Sequence, residues 1–339
     1  MSVFIGVDSG GTRTNVHIVS SDGAVNAQYE VGESLSGAVA PELYPRVLRK
    51  ILVGSESIIS RNSAADTPVY MFISAAGFSA WSKETFVSTL HEVCPQQLGG
   101  RIVAAGAAND AVSMLLGMRA NAVVIAGTGS NIVLSVETEF VQIGGHNWVA
   151  CDEGSGFWIG LRAIRRAFRD LESGVESTLL ARLYDAYGIR HGDSEQLIKK
   201  AYDLSVNDKS TKREIARFAA SVCGAAERGD VASQDIVKQE AEELADLMAV
   251  GLRRYFTDAQ LEAGLPVVQG GSVLANNFYR SSFENQVEMR LRSGQPVSID
   301  WKSDTTGLSA AVRLAKDLAE GSPPGMQSAV SFRPVVVRF

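Results

Sequence analysis

Residues 4–19 read FIGVDSGGTRTNVHIV, an apolar strand, a tight glycine turn and a second apolar strand. The same design recurs at residues 122–136, which read AVVIAGTGSNIVLSV. Glycine and hydroxyl residues at such a turn leave backbone N–H groups open to an anion, because no Cβ blocks the approach. One glycine hairpin is weak evidence of phosphate binding, since such turns are common. Two in matching contexts predict a duplicated fold that binds one nucleotide between its halves.

The composition of the chain limits the classes of protein to which it can belong. With 339 residues, 45% of them hydrophobic, the chain is long enough for a large core and predicts two domains. A net charge of −6 argues against a non-specific nucleic-acid binder, whose footprint is a basic patch. No apolar run approaches the roughly 18 residues of a membrane span, and no signal peptide precedes the first strand. We therefore expect a cytoplasmic protein without a membrane or nucleic-acid partner.

Hydrophobic periodicity switches repeatedly between strand and helix along the chain. The predicted strands beyond the two hairpins are 24–30, 69–74, 101–105 and 266–269. The predicted helices are 41–60, 83–93, most of 154–256, 277–292 and 305–319. Alternation of this kind is typical of an α/β layer structure. No element is predicted for the tail at 330–339.

Three motifs carry a resemblance to a known superfamily. The two hairpins and VVQGGSV, at residues 267–273, resemble the phosphate-1, phosphate-2 and adenosine motifs of the actin, hexokinase and Hsp70 ATPases. Residues 126–131, Gly144-Gly145 and the run DEGSGFWIG at 152–160 resemble the N-acetylglucosamine kinase branch of the BadF/BadG/BcrA/BcrD family. The resemblance covers residues 3–317, with the motifs in the right order.

This resemblance implies an α/β fold of two ribonuclease-H-like, actin-like ATPase domains with an ATP cleft between them. We expect the N-terminal domain to span residues 1–120 and the C-terminal domain residues 121–303. The last helix, 304–319, is expected to pack back on the N-terminal domain. Members of the family are commonly dimeric, so a homodimer is also expected.

The resemblance also implies how ATP is bound. Phosphoryl transfer asks a protein mainly for positioning, charge neutralisation and an oriented nucleophile. The turns of the two hairpins would donate to the terminal phosphates, and the segment after residue 269 would flank adenine and ribose, although that segment is equally compatible with a plain strand-to-helix turn. The implied cofactor-binding residues are Gly10, Gly11, Thr12, Gly127, Gly129, Ser130, Gly270, Gly271 and Ser272.

Two carboxylates are candidates for the chemistry. Asp8, at the end of the first strand, is placed to hold Mg²⁺ through water, because Mg²⁺ keeps several waters and takes one or two carboxylates. A role in an Asx-type turn is the alternative. The family places its catalytic base just after a strand, where a helix opens, and this matches Asp110. Asp110 or Asn109 could instead cap that helix.

The sugar-binding residues are implied in the same way. Asp152 matches the family's sugar-binding aspartate, and Thr128 and Asn131 resemble residues that reach the sugar from the second hairpin. A purely structural role for Asn131 stays open, because a buried amide needs partners in any case. Glu153 could serve either the substrate or the start of the following helix.

The chain departs from the family pattern where the sugar substituent would be recognised. Acetyl-recognising relatives have Asn followed closely by Trp where residues 32–38 read GESLSGA, and Gly-Gly-Trp-Gly-His where residues 144–151 read GGHNWVAC. Ser36, Ala38 and His146 therefore stand in place of Asn and two Trp residues. We expect the preference for N-acetylglucosamine over glucosamine or an unmodified hexose to be weak or reversed. His146 either faces the substrate or is a surface loop residue.

Together these features predict an ATP- and Mg²⁺-dependent kinase that phosphorylates N-acetylglucosamine or glucosamine, with the 6-hydroxyl implied by the family. One alternative is an ATPase that activates a dehydratase or reductase through an iron–sulfur cluster. Cys94, Cys151 and Cys223 are scattered without cluster, zinc or disulfide spacing, which counts against it. Another alternative is a non-catalytic sugar- or ATP-binding relative, such as a repressor, which should carry a helix-turn-helix before the first hairpin.

Overall fold

The computed structural model describes residues 1–10, 13–35, 41–78, 83–137, 139–204, 209–292, 297–303, 306–321 and 335–338. Strands and helices alternate in this part of the chain, so the predicted α/β class is confirmed. No helix among these residues is long and apolar enough to cross a membrane. The chain divides into a first compact unit, 1–123 with 135–141 and 304–339, and a second unit, 124–134 with 142–303. The domain boundaries expected at residues 120 and 303 stay a prediction.

The elements have the following bounds. The strands are β1 (Val3–Ser9), β2 (Thr14–Ser20), β3 (Asn26–Val31), β4 (Val69–Ala75), β5 (Ile102–Asn109), β6 (Ala122–Ala126), β7 (Ser130–Val136), β8 (Glu139–Ile143), β9 (Leu265–Gly270), β10 (Ile299–Lys302) and β11 (Val335–Arg338). The helices are α1 (Tyr44–Asn62), α2 (Lys83–Val93), α3 (Gln96–Gly99), α4 (Asp110–Gly117), α5 (Gly156–Glu172), α6 (Thr178–Tyr187), α7 (Ser194–Tyr202), α8 (Lys209–Glu227), α9 (Val231–Tyr255), α10 (Asp258–Ala263), α11 (Asn277–Leu291) and α12 (Gly307–Ala319).

The first sheet has the strand order β11-β5-β4-β1-β2-β3. The hairpin β1–β2 is antiparallel, whereas β1, β4 and β5 run parallel. The carboxyl ends of these three strands therefore meet at one edge, where open α/β sheets bind their ligands. The register pairs Asp8 of β1 with Ser74 of β4, and Ala75 of β4 with Asn109 of β5. The start of α4 follows directly at this edge.

The second sheet has the strand order β10-β9-β6-β7-β8, with β9 and β10 parallel. This order repeats that of the first sheet once the edge strand β11 is set aside: a central strand, its hairpin partners on one side and two later strands on the other. The repeat of the glycine hairpin in the sequence therefore extends to the arrangement of the strands.

The core of the first unit explains why its elements form. Every second residue of β2, from Thr14 to Ser20, is buried, as alternation predicts for a strand with one covered face. Helix α1 buries the apolar stripe of Val47, Leu48 and Ile51 against the sheet residues. This stripe is the one that the sequence periodicity predicts.

Helix α12 packs on β1, β4 and α4 within the first unit. Two glycines permit this close approach. A Cβ built on Gly6 of β1 would lie 2.5 Å from Val312 Cγ2, and one on Gly117 of α4 would lie 2.8 Å from the Ala310 carbonyl oxygen. Larger residues at either position would push α12 away from the carboxyl edge of the sheet.

Two parts of the fold differ from the sequence-based expectation. Strand β5 runs to Asn109, four residues beyond the predicted end, because Gly106 and the alanines around it are weak strand formers that the sheet nevertheless buries. The tail, for which no element is predicted, contains β11, which pairs antiparallel with β5. A four-residue strand shows too few alternations for its period to be recognised.

Candidate functional site

The carboxyl edge of the first sheet carries two acidic side chains. Asp8 lies near the end of β1, is half-buried and faces its register partner Ser74 on β4. The hydroxyl oxygen of Ser74 is buried and has no hydrogen-bond partner within the described residues. Buried polar atoms are normally paired, so an unpaired hydroxyl at this edge is unusual.

Asp110 is the first residue of α4 and sits at the same edge. The backbone N–H of Ala111 donates to Asp110 Oδ1 at 2.9 Å and to Asn109 Oδ1 at 3.0 Å. Asn109 is therefore the N-cap of α4, one of the alternatives that the sequence left open. Asp110 Oδ2 accepts no hydrogen bond from the residues that the structure describes, so this oxygen is available to another group.

The two carboxylates influence each other. Burial, together with the charge of Asp110, raises the pKa of Asp8 from its ordinary value of 3.8 to about 6. Burial also raises the pKa of Asp110. Over the described ranges neither acid forms an ion pair with Lys or Arg. Two partly buried carboxylates without a counter-charge disfavour simultaneous ionisation, and a bound cation would relieve this.

The N-terminus of α12 provides partial compensation for Asp8. A Cβ on Gly307, the first residue of α12, would lie 2.4 Å from Asp8 Oδ1, so the carboxylate is close to the helix end. The backbone N–H groups at a helix N-terminus favour negative charge. The close approach requires glycine at position 307, which lies in none of the motifs recognised in the sequence.

The donor set at this edge fits Mg²⁺. Mg²⁺ prefers oxygen ligands and is commonly bound through one or two carboxylates, several waters and the substrate phosphates. Asp8 and Asp110 supply such carboxylates. The described part of the chain has no group of three or more His, Cys, Asp or Glu side chains that could hold a metal ion by themselves. A magnesium ion here would depend on its water and phosphate ligands.

The turn between β1 and β2 is anchored to the segment after β3. The N–H of Gly10 donates to the Arg13 carbonyl at 3.1 Å, and the Ser34 hydroxyl donates to the Gly10 carbonyl. The N–H of Leu35 donates to Ser9 Oγ at 2.7 Å. The predicted phosphate contacts Gly11 and Thr12, and the departure positions Ser36 and Ala38, lie outside the described residues.

In the second unit, the β6–β7 turn lies beside the loop that follows β9. A Cβ on Gly127 would lie 3.8 Å from the backbone nitrogen of Ser272, and Val273 N–H donates to the Ala126 carbonyl at 2.9 Å. Gly271 has a φ of +93°, and a Cβ there would lie 2.2 Å from the Ala126 carbonyl oxygen. Position 271 therefore requires glycine, which keeps the two loops in contact.

These two loops leave backbone donors unused. Among the described residues, no acceptor is found for the N–H groups of Thr128, Gly129, Gly271 and Ser272. The carbonyls of the β6–β7 turn are used instead: Gly156 N–H donates to the Gly127 carbonyl at 2.7 Å. A turn whose carbonyls face a helix while its N–H groups stay free matches what an anion requires.

Gly129 faces a buried ion pair rather than open space. A Cβ on Gly129 would lie 2.7 Å from Asp152 Oδ2 and 3.2 Å from Lys212 Nζ. Lys212 Nζ donates to Asp152 Oδ2 at 2.8 Å, and Asp152 is only 4% exposed. Lys212 also lies 5.9 Å from the ring centroid of Trp148. Lys212 was not predicted as a site residue, because a lysine near the start of a helix has the pattern of an ordinary solvated residue.

The loop that carries Asp152 is held rigidly. Gly154, with a φ of +75°, donates from its N–H to Glu240 Oε2 at 2.9 Å, and its carbonyl accepts from the Tyr279 hydroxyl at 2.8 Å. Burial raises the pKa of Glu240, while the Arg162 guanidinium that pairs with it opposes the shift. The Ser155 side chain caps α5. Asp152 is thus positioned by a hydrogen-bonded frame.

The remaining predicted site residues have different surroundings. Asn131 Oδ1 and Glu153 Oε2 are buried and, within the described residues, have no hydrogen-bond partner. Thr128 is exposed, and its carbonyl accepts from Phe157 N–H at 3.2 Å. His146 is exposed on the loop before Asp152. Ser130 begins β7 and Gly270 ends β9. The roles expected for all of these residues stay predictions.

Comparisons with known proteins bear on these observations. The model of the BadF/BadG/BcrA/BcrD ATPase family matches residues 5–315. An N-acetylmuramic acid/N-acetylglucosamine kinase from Clostridium acetobutylicum is 28% identical over 248 residues, 72% of this chain and 77% of that protein. An N-acetyl-D-glucosamine kinase from Dictyostelium discoideum is 26% identical over 286 residues, 80% of this chain and 85% of that protein.

A solved structure supports the fold. The structure titled a putative N-acetylglucosamine kinase from Chromobacterium violaceum superposes with a TM-score of 0.64 at 21% identity, covering 92% of this chain and 99% of that one. The predicted actin-like ATPase fold is thereby confirmed.

Proposed function

The chain belongs to the BadF/BadG/BcrA/BcrD ATPase family, and on that premise we propose that it is a kinase that transfers the terminal phosphoryl group of ATP to an amino sugar. The observation that carries the proposal is the pair Asp8 and Asp110, two carboxylates without a cation partner in the described residues. The names of the two curated relatives, both amino-sugar kinases, support the acceptor class.

Asp110 is the proposed catalytic base. Its Oδ1 is held by the N–H of Ala111, which orients the carboxylate and leaves Oδ2 to accept the proton of the attacking sugar hydroxyl. Burial raises the pKa of Asp110 above its ordinary value, which makes the carboxylate a stronger base. We assign the 6-hydroxyl as the acceptor on the family resemblance.

Asp8 is the residue proposed to bind Mg²⁺, through water molecules that the ion carries. A bound Mg²⁺ neutralises charge on the transferring phosphoryl group. Asp8 itself would orient the water ligands of the ion, and the N-terminus of α12 beside it favours the ionised carboxylate. Gly10, with Gly11 and Thr12, would contact the phosphates from the β1–β2 turn.

The proposed ATP contacts of the second unit are backbone groups. The free N–H groups of Gly129 and of Thr128 would donate to phosphate oxygens, and those of Gly271 and Ser272 to the nucleotide on the other loop. Gly271 allows the two loops to lie close together, and Gly127 lies beside Ser272 within the proposed set. Ser130 and Gly270 complete the proposed set of cofactor contacts.

The proposed sugar contacts are Asp152, Asn131, Thr128 and His146. The unpaired Oδ1 of Asn131 supports a role for this side chain, because a buried acceptor without a partner suits a ligand hydroxyl. Lys212 neutralises Asp152, so the loop does not offer a bare carboxylate to the ammonium group of glucosamine. This favours the neutral N-acetylated sugar, whereas the missing tryptophans favour glucosamine.

A panel of hexoses and amino sugars, assayed by coupled ADP detection with Mg²⁺-ATP, tests the proposal. We expect sugar-dependent ADP release with N-acetylglucosamine, glucosamine or both, and the unmodified hexoses measure how much the amino group contributes. The ratio of kcat/KM between the two amino sugars decides which of the opposing arguments holds. ATP binding without sugar-dependent ADP release on any member of the panel would overturn the kinase assignment.

The expected cytoplasmic homodimer is part of the proposal. Light scattering on the purified protein at several concentrations measures the oligomeric state, with a mass of two chains as the expected result.

A further inference from the structure

A cavity of about 700 Å³ lies against helices α6, α7 and α8 in the second unit, and its lining includes none of the residues assigned above. Its lining combines cationic side chains with aromatic and apolar ones. The lining residues are Ala186, Tyr187, Lys200, Ser210, Arg213, Glu214, Arg217, Phe218 and Ser221.

The charges of the cavity do not cancel. Lys200 Nζ lies 2.7 Å from Glu214 Oε1, so these two residues neutralise each other. Arg213 and Arg217, one turn apart on α8, form no ion pair with any residue that the structure describes. Two guanidinium groups on one helix face therefore give the lining a net charge of two positive units, which matches a phosphomonoester of about −1.5 to −2 at neutral pH.

A second observation points to a ligand with hydroxyl groups. The hydroxyl of Tyr187 is buried and, within the described part of the chain, has no hydrogen-bond partner. Lys200 Nζ lies 5.4 Å from the centroid of the Tyr187 ring. Burial and the charge of Glu214 raise the pKa of Tyr187 to about 12, so the hydroxyl keeps its proton and can donate.

The size of the cavity excludes a bare phosphate as its full occupant. Phe218 is buried and forms an apolar wall, while Glu214 can accept hydrogen bonds beside it. Guanidinium groups bind phosphate oxygens in a bidentate geometry. Cations on one helix, a phenol and an apolar wall together suit a sugar ring that carries one phosphate.

We propose that this cavity is a second binding site for a sugar phosphate, separate from the catalytic residues. The choice of sugar phosphate rests on the proposed function, because the product of that reaction belongs to this class. The position of Arg213 suggests a consequence: it directly follows Lys212, which pairs with Asp152. A ligand held by Arg213 therefore acts on the helical turn that positions Lys212, and should raise the KM for the sugar.

Calorimetric binding tests the site with the catalytic residues occupied by N-acetylglucosamine, Mg²⁺ and a non-hydrolysable ATP analogue. The probes are N-acetylglucosamine 6-phosphate, glucose 6-phosphate and inorganic phosphate. We expect one molecule of either sugar phosphate to bind, at least about tenfold more tightly than inorganic phosphate, because the sugar adds hydrogen bonds. Equal affinity for inorganic phosphate would overturn the sugar-phosphate assignment.

Substitutions of the lining residues test whether the sugar phosphate binds in this cavity. Arg217→Met and Arg213→Met should each weaken sugar-phosphate binding by about 10- to 100-fold, because each removes a charge-assisted hydrogen bond. Tyr187→Phe should weaken it by about tenfold without loss of stability, since the hydroxyl has no partner to lose. The control Arg49→Met removes an exposed arginine of α1 and should bind like the wild type.

Steady-state kinetics adds a second measurement. Added product should raise the KM for the sugar in the wild-type enzyme, and Arg217→Met should reduce this effect while its kcat without product stays unchanged. Wild-type affinity in the Arg213 and Arg217 variants would refute the site. Because the binding experiment needs no turnover, a protein that binds sugar phosphates through Arg217 but lacks kinase activity would refute only the proposed function.

Discussion

Two acidic regions of the molecule differ in whether their carboxylates have a cationic partner. At the carboxyl edge of the first sheet, Asp8 and Asp110 have no cation partner in the described residues, and both have raised pKa values. In the second unit, Asp152 is more deeply buried, yet Lys212 lies 2.8 Å from it. The first region is electrostatically incomplete without an added cation, whereas the second is complete in the protein alone.

This difference indicates which function each region can serve. Burying a carboxylate without a counter-charge destabilises the folded state, and groups of this kind concentrate at functional sites. A buried ion pair holds its members in one geometry and suits recognition. We therefore associate Asp8 and Asp110 with the metal ion and the reaction, and the pair of Asp152 and Lys212 with substrate selection.

The largest effect is expected from Asp110→Asn. The change keeps the hydrogen bond from Ala111 and the cap by Asn109, but it removes the proposed base, so sugar-dependent ADP release should fall by about 10²–10⁴-fold. ATP affinity should stay close to that of the wild type. Asp66→Asn, at an exposed position of the same unit, is the matched control. Retention of more than about a third of the turnover would contradict the assignment.

Asp8→Asn should have the next largest effect. Removal of a group that orients the water ligands of a metal typically weakens metal binding by about 10- to 100-fold, so the Mg²⁺ concentration for half-maximal activity should rise by that factor. A titration of activity with Mg²⁺ measures it. An unchanged Mg²⁺ dependence in an active Asp8→Asn protein would remove Asp8 from the metal site.

The same variant should be more stable than the wild type when no ligand is bound. The native pKa of Asp8, about 6, lies above its ordinary value of 3.8, so the native state binds more protons in this window and the wild type loses stability as pH rises through it. At pH 7 Asp8→Asn should gain on the order of 3 kcal/mol in unfolding free energy. The stability difference between the variant and the wild type should vanish below pH 3.8, the ordinary pKa of the carboxyl group. Urea unfolding of both proteins at pH 7 and at a pH below this value would measure it. A pH-independent difference would contradict it.

The smallest effect is expected from Lys212→Met. The change leaves Asp152 as a bare carboxylate, so the KM for N-acetylglucosamine should rise by about tenfold while the ratio of kcat/KM shifts toward the cationic glucosamine. A merely structural lysine would affect both sugars equally. Lys199→Met, an exposed lysine of α7, serves as the control. An unchanged ratio between the two sugars would disprove the role of Lys212 in selection.

The sequence alone predicted the α/β class, the repeated glycine hairpins and the placement of Asp8 at the end of a strand, and the family resemblance added the position of Asp110 at the start of a helix. These features depend on local backbone preferences and on short periods of apolar residues, which neighbouring residues specify. Asn109 was one of two predicted candidates for capping this helix, and its side chain does cap α4.

The tertiary structure determined which side chains and strands contact each other. Lys212 and Asp152 are 60 residues apart in the chain, Glu240 and Gly154 are 86 apart, and Gly307 approaches Asp8 from α12. The edge strand β11 likewise forms only because β5 offers it an unpaired edge. Such contacts depend on how distant elements pack, and no local pattern records that geometry. Local sequence therefore determined which residues could react, whereas long-range packing decided which of them have a partner.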